Sequence, residues 1–333
     1  AVLAARPLRS AERGLMLALA PYAAAAFVVG LGATSIARRC VRASSVRAAC
    51  CAPSLDALAS RLRGCASGDI VLLIDFDRTI TDGTSAQCHD VVGATECMPL
   101  RVREGFAKML DFSQPFPPEL EGDLWWEAGN ALLLSEAREV LTAALARELF
   151  KAAPLFGTST QPMRARPGAI ALLTRAAELG IPVLVVSAGF TSVIEGFLEA
   201  HGVSTGRLLQ VCSNRLVFEP ASGHLRAIEP SPPITGLNKH HTYSRNRRWF
   251  DEQAAAGRRQ LLVVGDSMGD LRCAEGVPDS FVVSSLGIFN ENDGRRTLGE
   301  YEATFTSVIG GTAASLEPLQ RVIDGLPTRQ LRV

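Results

Sequence analysis

Lysine is scarce in this 333-residue chain: only Lys108, Lys151 and Lys239 occur, and arginine supplies the rest of its 34 basic residues. Acidic residues also number 34, so the net charge is zero. No basic stripe stands out, which argues against nucleic-acid binding. The Arg245, Arg247 and Arg248 group reads as a solvated helix face. Cys-x-x-Cys pairs are missing among the eight cysteines, at 40, 50, 51, 65, 88, 97, 212 and 273. Cys88-His89 with Cys97 lacks the further ligands a zinc site needs. Free thiols in a reducing compartment are the default, with Cys212 and Cys273 in hydrophobic runs that read as core. No internal repeat is present. What the chain does have is 47% hydrophobic residues, enough to bury a sizeable core.

Acids are nearly absent from residues 1–50, which hold seven arginines and a single acid, Glu12. Residues 15–37 are almost wholly apolar or small and about as long as a membrane span, though interrupted by Pro21. A basic stretch from Arg38 follows. Three readings stay open: an organelle (plastid or mitochondrial) transit region, a membrane anchor with a basic flank, or an unstructured extension. Membrane contact is expected only through residues 15–37, and the segment stands outside the fold.

Beyond it, chemistry-bearing residues follow buried strands. Ile70 to Ile74 is a run of five apolar residues, read as a buried strand, and Asp75 and Asp77 come next. In extended chain, residues two apart point to one side, so both acids would meet at the carboxyl end of a strand, where open α/β sheets bind ligands. Like charges so close call for a cation, and Mg²⁺ prefers such oxygens. A bare Asp-x-Asp is equally a solvated strand end. A second run, Ile181 to Val186, ends in Ser187-Ala188-Gly189, with a helical stretch over residues 193–200. A hydroxyl and free N–H groups at a helix start can cradle phosphate, although serine there is commonly a plain cap. A third run, Leu261 to Val264, ends in Gly265-Asp266-Ser267-Met268-Gly269-Asp270. Between the last two lies Lys239, a compact positive charge suited to phosphate.

The order Asp-x-Asp-x-Thr, Ser, Lys, Gly-Asp-x-x-x-Asp resembles the haloacid dehalogenase-like (HAD) phosphohydrolases. More narrowly, the chain resembles the pyrimidine 5'-nucleotidase family, also called cytosolic 5'-nucleotidase III. Cys88-His89-Asp90 is similar to its Cys-His-Asn. Leu124-Trp125-Trp126 with Ala131-Leu132-Leu133 is similar to its Trp-Tyr…Leu-Leu segment. Gly236-Leu237-Asn238-Lys239 through Arg245-Asn246 is similar to its Phe-Asn-Lys…Arg-Asn. Gly265 to Arg272 with Ala274 and Gly276 completes the set. The resemblance spans about residues 55–330. Two departures stand out: Gly129-Asn130 replaces Ser-His, and Trp126 replaces Tyr.

The resemblance implies an α/β fold, a Rossmann-like HAD core with a parallel sheet built from the runs at 70, 182, 261 and 281, and a helical cap inserted after the first strand. The expected domains are residues 51–83 with 166–333 for the core, and 84–165 for the cap. Helical patterns in the cap are expected over Leu100–Leu110, Leu124–Glu136 and Ala137–Phe150. The implied activity is Mg²⁺-dependent hydrolysis of nucleoside 5'-monophosphates, UMP or CMP, through an aspartyl phosphate. Asp75 would be the nucleophile and Asp77 the general acid and base. Asp75, Asp77 (through its carbonyl) and Asp266 would hold Mg²⁺, with Asp270 in the outer shell. Ser187, Ala188, Gly189 and Lys239 would bind phosphate. Trp125, Trp126 and Asp111 would meet the base, although tryptophans on such a helix are often plain core. A cytoplasmic monomer is implied. Rival readings are a phosphoserine phosphatase-like enzyme and a catalytically silent nucleotide-binding protein.

Overall fold

The computed structural model describes residues 55–94, 98–109, 124–144, 146, 163–290, 296–311 and 314–328. Seven strands form one sheet: β1 (Ile70–Ile74), β2 (Val183–Phe190), β3 (Leu209–Phe218), β4 (Leu225–Glu229), β5 (Gln260–Gly265), β6 (Val282–Phe289) and β7 (Ser307–Gly310). Their order is β4-β3-β2-β1-β5-β6-β7, parallel throughout except for the β3–β4 pair. The chain leaves β1 towards β2 on one side and returns through β5 on the other. That reversal at β1 opens a crevice at the carboxyl ends of β1 and β5, the expected ligand position of an open α/β sheet.

The expected α/β core with a parallel sheet is therefore present. β1 is buried on both faces, as a central parallel strand must be. Ile70, Leu72 and Ile74 enter one hydrophobic cluster, and Val71 and Leu73 the other. The alternation repeats in β2 and β5, with Val183 and Val185, then Leu262 and Val264, joining the first cluster.

Helices α1 (Cys88–Ala94), α2 (Leu100–Met109) and α3 (Leu124–Glu136) lie in the insertion between β1 and β2. The expected helices at 100–110 and 124–136 match α2 and α3. Ala137 to Val140 instead forms a turn, and Thr142 makes an isolated bridge with His224 of the β3–β4 hairpin. Most of the remainder of that third expected helix lies outside the described residues, as do residues 1–50 and Asp111. No described helix is long and apolar enough to cross a membrane.

Strand β2 differs from expectation. It runs on through Ser187, Ala188 and Gly189 to Phe190, with a register break between Val186 and Phe190, and α4 (Thr191–Ala200) starts directly after it. The expected helix start at Ser187 to Gly189 is thus an irregular strand end, which keeps the chain against β3.

Candidate active site

Four side chains converge where β1 and β5 end. Asp75 caps β1. Asp266 and Asp270 follow β5, Asp270 within the short helix α5 (Met268–Leu271). One oxygen from each of the three carboxylates lies within 4.8 Å of the others. Lys239 comes from a 3₁₀ turn, Lys239–His241, and bridges the group: its Nζ donates to Asp75 Oδ1 and to Asp270 Oδ1, both at 2.6 Å. Burial alone would depress this lysine, but Asp270 and Asp75 outweigh it and hold its pKa well above the ordinary value. It is a fixed cation.

One lysine against three carboxylates leaves charge uncompensated. Burial pushes Asp75 up to about 6 despite Lys239, with Asp270 adding to the rise. Burial, Asp75 and Asp270 drive Asp266 well above the usual carboxylate range, while Arg78 and Lys239 pull it back. Such a set favours a bound hard cation over an empty state. Asp270 already spends both oxygens, one on Lys239 and one on the Ser267 N–H at 2.8 Å. This suits an orienting part better than a direct ligand. Gly265 makes room for it: a Cβ there would fall 2.3 Å from Asp270 Oδ2.

Asp77 points elsewhere. Its Oδ1 accepts the Cys88 N–H at 3.0 Å, at the start of α1. Burial and the charge of Asp75 push its pKa to about 7. Ser187 is buried beside β1, and its hydroxyl accepts the Gly189 N–H at 3.0 Å. That N–H was an expected phosphate donor; here it is engaged internally.

Several residues that hold this arrangement carried no motif. Arg166, 1% exposed, donates to the carbonyls of Arg78 at 2.7 Å, Thr79 at 3.0 Å and Ala314 at 3.0 Å, and to Asn290 Oδ1 at 2.9 Å. It clamps the loop after β1, where Arg78 sits at φ 59°, the only described non-glycine residue with positive φ. A side chain held there costs about 1–3 kcal/mol and persists only where its surroundings enforce it. Asn290 also donates to Asp266 Oδ2 at 3.2 Å. Asn214 donates to the carbonyls of Ala188 and Ile234 and accepts the Ile234 N–H, all at 2.8 Å, tying the end of β2 to the segment that leads to Lys239.

The two tryptophans diverge. Trp125 is 8% exposed; its Nε1 donates to the Met109 carbonyl at 2.8 Å and its ring meets His89 edge-on at 5.0 Å. It packs inside the helical insertion. Trp126 is half-buried and lies over Gly236, where a Cβ would come within 3.3 Å of its ring. It therefore borders the segment that carries Lys239.

The family model for pyrimidine 5'-nucleotidase (UMPH-1) matches residues 144–319, more than half of the chain. The chain belongs to this family. A 7-methylguanosine phosphate-specific 5'-nucleotidase of Gallus gallus is 30% identical over 145 residues, 43% of this chain and 48% of the relative. A putative cytosolic 5'-nucleotidase 3 of Caenorhabditis elegans is 27% identical over 150 residues, 43% of this chain and 38% of the relative. The matches thus span about half, or less, of these relatives' length. The crystal structure of cytosolic 5'-nucleotidase IIIB bound to cytidine superposes with a TM-score of 0.60 at 20% identity, covering 80% of this chain and 89% of that one. That likeness shows a shared fold.

Proposed function

We propose that this chain is a Mg²⁺-dependent 5'-nucleotidase that hydrolyses pyrimidine nucleoside 5'-monophosphates, UMP and CMP, to nucleoside and phosphate. The observation that carries the proposal is the buried cluster of Asp75, Asp266 and Asp270 bridged by Lys239. The cluster fits Mg²⁺ in donor chemistry: Asp75 and Asp266 would hold it with the Asp77 carbonyl, and Asp270 would orient the group. Bound there, Mg²⁺ would neutralise charge on the phosphoryl oxygens.

Asp75 attacks phosphorus, forming an aspartyl phosphate as the bond to the 5'-oxygen breaks. Asp77 gives that oxygen its proton. A pKa raised to about 7 by burial and by Asp75 suits this, since the group is partly protonated at neutral pH. Asp77 then takes a proton from the water that cleaves the aspartyl phosphate. Lys239, beside Asp75, supplies positive charge to the transferring oxygens, and Ser187 lines the same end of β2. Positioning and charge neutralisation supply most of the catalysis of phosphoryl transfer.

The pyrimidine preference rests on the family's description and on Trp126 at the site border. The Gallus gallus relative favours a second reading, 7-methylguanosine monophosphate as substrate. Phosphate release from UMP, CMP, 7-methyl-GMP, AMP and phosphoserine, with and without EDTA, tests both. Preferential release from UMP or CMP that EDTA abolishes is expected. Turnover of 7-methyl-GMP alone would replace the base assignment, and turnover of phosphoserine alone would overturn the nucleotidase reading.

A further inference from the structure

Asn130 is 8% exposed, yet neither its Oδ1 nor its Nδ2 has a hydrogen-bond partner. Among the described residues it is the only one with two such orphaned side-chain atoms. The contrast with other buried asparagines is direct. Asn214 spends its amide on three backbone groups, and the Asn290 amide meets Arg78, Arg166 and Asp266. Leaving a buried polar group unpaired is costly, and native proteins satisfy most of them. An amide left open on both atoms therefore points to a partner that arrives from outside.

Its position says which partner. Residues four apart share a helix face, so Asn130 stands one turn along α3 from Trp126. Leu133 continues that side into the buried core, and the turn after α3 is bonded to the β3–β4 hairpin, the Leu225 N–H donating to the Arg138 carbonyl at 3.2 Å. The face is thus turned to the sheet domain, and its Trp126 end overlies Gly236 beside the Lys239 segment. Trp126 offers a flat surface and Asn130 an adjacent donor–acceptor pair.

We infer that Asn130 reads the edge of the substrate's pyrimidine base, accepting one hydrogen bond and donating another while Trp126 covers the ring. The inference rests on the nucleotidase reading and deepens it. Uracil presents N3–H and O4; cytosine presents N3 and an exocyclic NH₂. One amide serves both by rotating half a turn, so UMP and CMP are handled alike.

The test is kcat/KM for UMP, CMP and 4-nitrophenyl phosphate, which has no base edge, in the full chain and in Asn130→Leu. A paired amide–base contact carries roughly tenfold discrimination. The variant is expected to lose about tenfold more on both nucleotides than on 4-nitrophenyl phosphate. Equal losses on all three, or none on the nucleotides, would overturn the inference. Asn130→Asp keeps the size and removes the donor, so it serves if the leucine variant does not fold, with the same selective loss expected. A wild-type chain that releases phosphate from no nucleotide would instead overturn the nucleotidase reading itself.

Discussion

Replacing Lys239 with methionine removes the cation that bridges Asp75 and Asp270 while keeping most of the side-chain volume. The two carboxylates are 8% and 2% exposed, so water cannot take over from the ammonium. Removing one partner of a buried pair typically costs about 3–5 kcal/mol. Part of that returns because Asp75, already near 6, can take up a proton. A net loss of about 3 kcal/mol is expected, or roughly 6–12 °C in Tm for a domain of this size. The stranded charge has a second consequence: Mg²⁺ should restore more of the Tm in the variant than it adds to the wild type. The kcat should fall about 10²–10³-fold, the usual cost of one lost donor to a transferring group. Thermal unfolding of both proteins in EDTA and in Mg²⁺ reads the outcome. A Tm within about 1 °C of wild type, or the same Mg²⁺ increment in both proteins, would refute the reasoning.

Trp126→Ala should raise KM for UMP and CMP by about 5- to 100-fold, the scale of one base–aromatic stack, with little change in Tm. Trp125→Ala should lower Tm by several degrees through loss of core packing, and thermal melts beside Michaelis kinetics separate the two. Gly265→Ala forces a Cβ to 2.3 Å from Asp270 and should cut kcat by displacing the carboxylate that holds Lys239; unchanged kcat would show that the contact relaxes freely. Burial lowers the His89 pKa to about 4. Between pH 4 and 6.5 the unfolded chain binds a proton there that the folded chain refuses, so stability falls as pH drops, by up to about 3 kcal/mol. Asp75 and Asp77, whose pKa values are raised, act with the opposite sign. The contrast between wild type and His89→Phe in denaturant titrations at pH 5 and pH 8 therefore isolates the histidine; an identical pH dependence in both would contradict its neutral burial.

The acidic cluster of this chain was readable because its members follow hydrophobic runs. Asp75, Asp266 and Asp270 sit at strand ends, and an apolar run of five or six residues marks a central parallel strand directly. The sequence pattern was silent where the contacts are long-range. Arg166 and Asn214 act through backbone carbonyls and N–H groups, which leave no periodicity and no fixed spacing. Strand β3 mixes Gln210, Ser213, Asn214 and Arg215 with apolar residues, so it lacked a clean strand signature. The two tryptophans could not be told apart by spacing alone. Adjacent positions on a helix face different surroundings, and only the packing of α2 against α3 shows which indole is enclosed.

The claim with most resting on it is that Asp75 becomes phosphorylated. UMP labelled in its phosphate, mixed with enzyme and Mg²⁺ and quenched in acid within milliseconds, should leave label on the protein. That label should be released by hydroxylamine, as an acyl phosphate is, and should be absent from a folded Asp75→Asn variant that no longer turns over. Phosphate release without any protein-bound label at early times, or full activity in Asp75→Asn, would contradict the account.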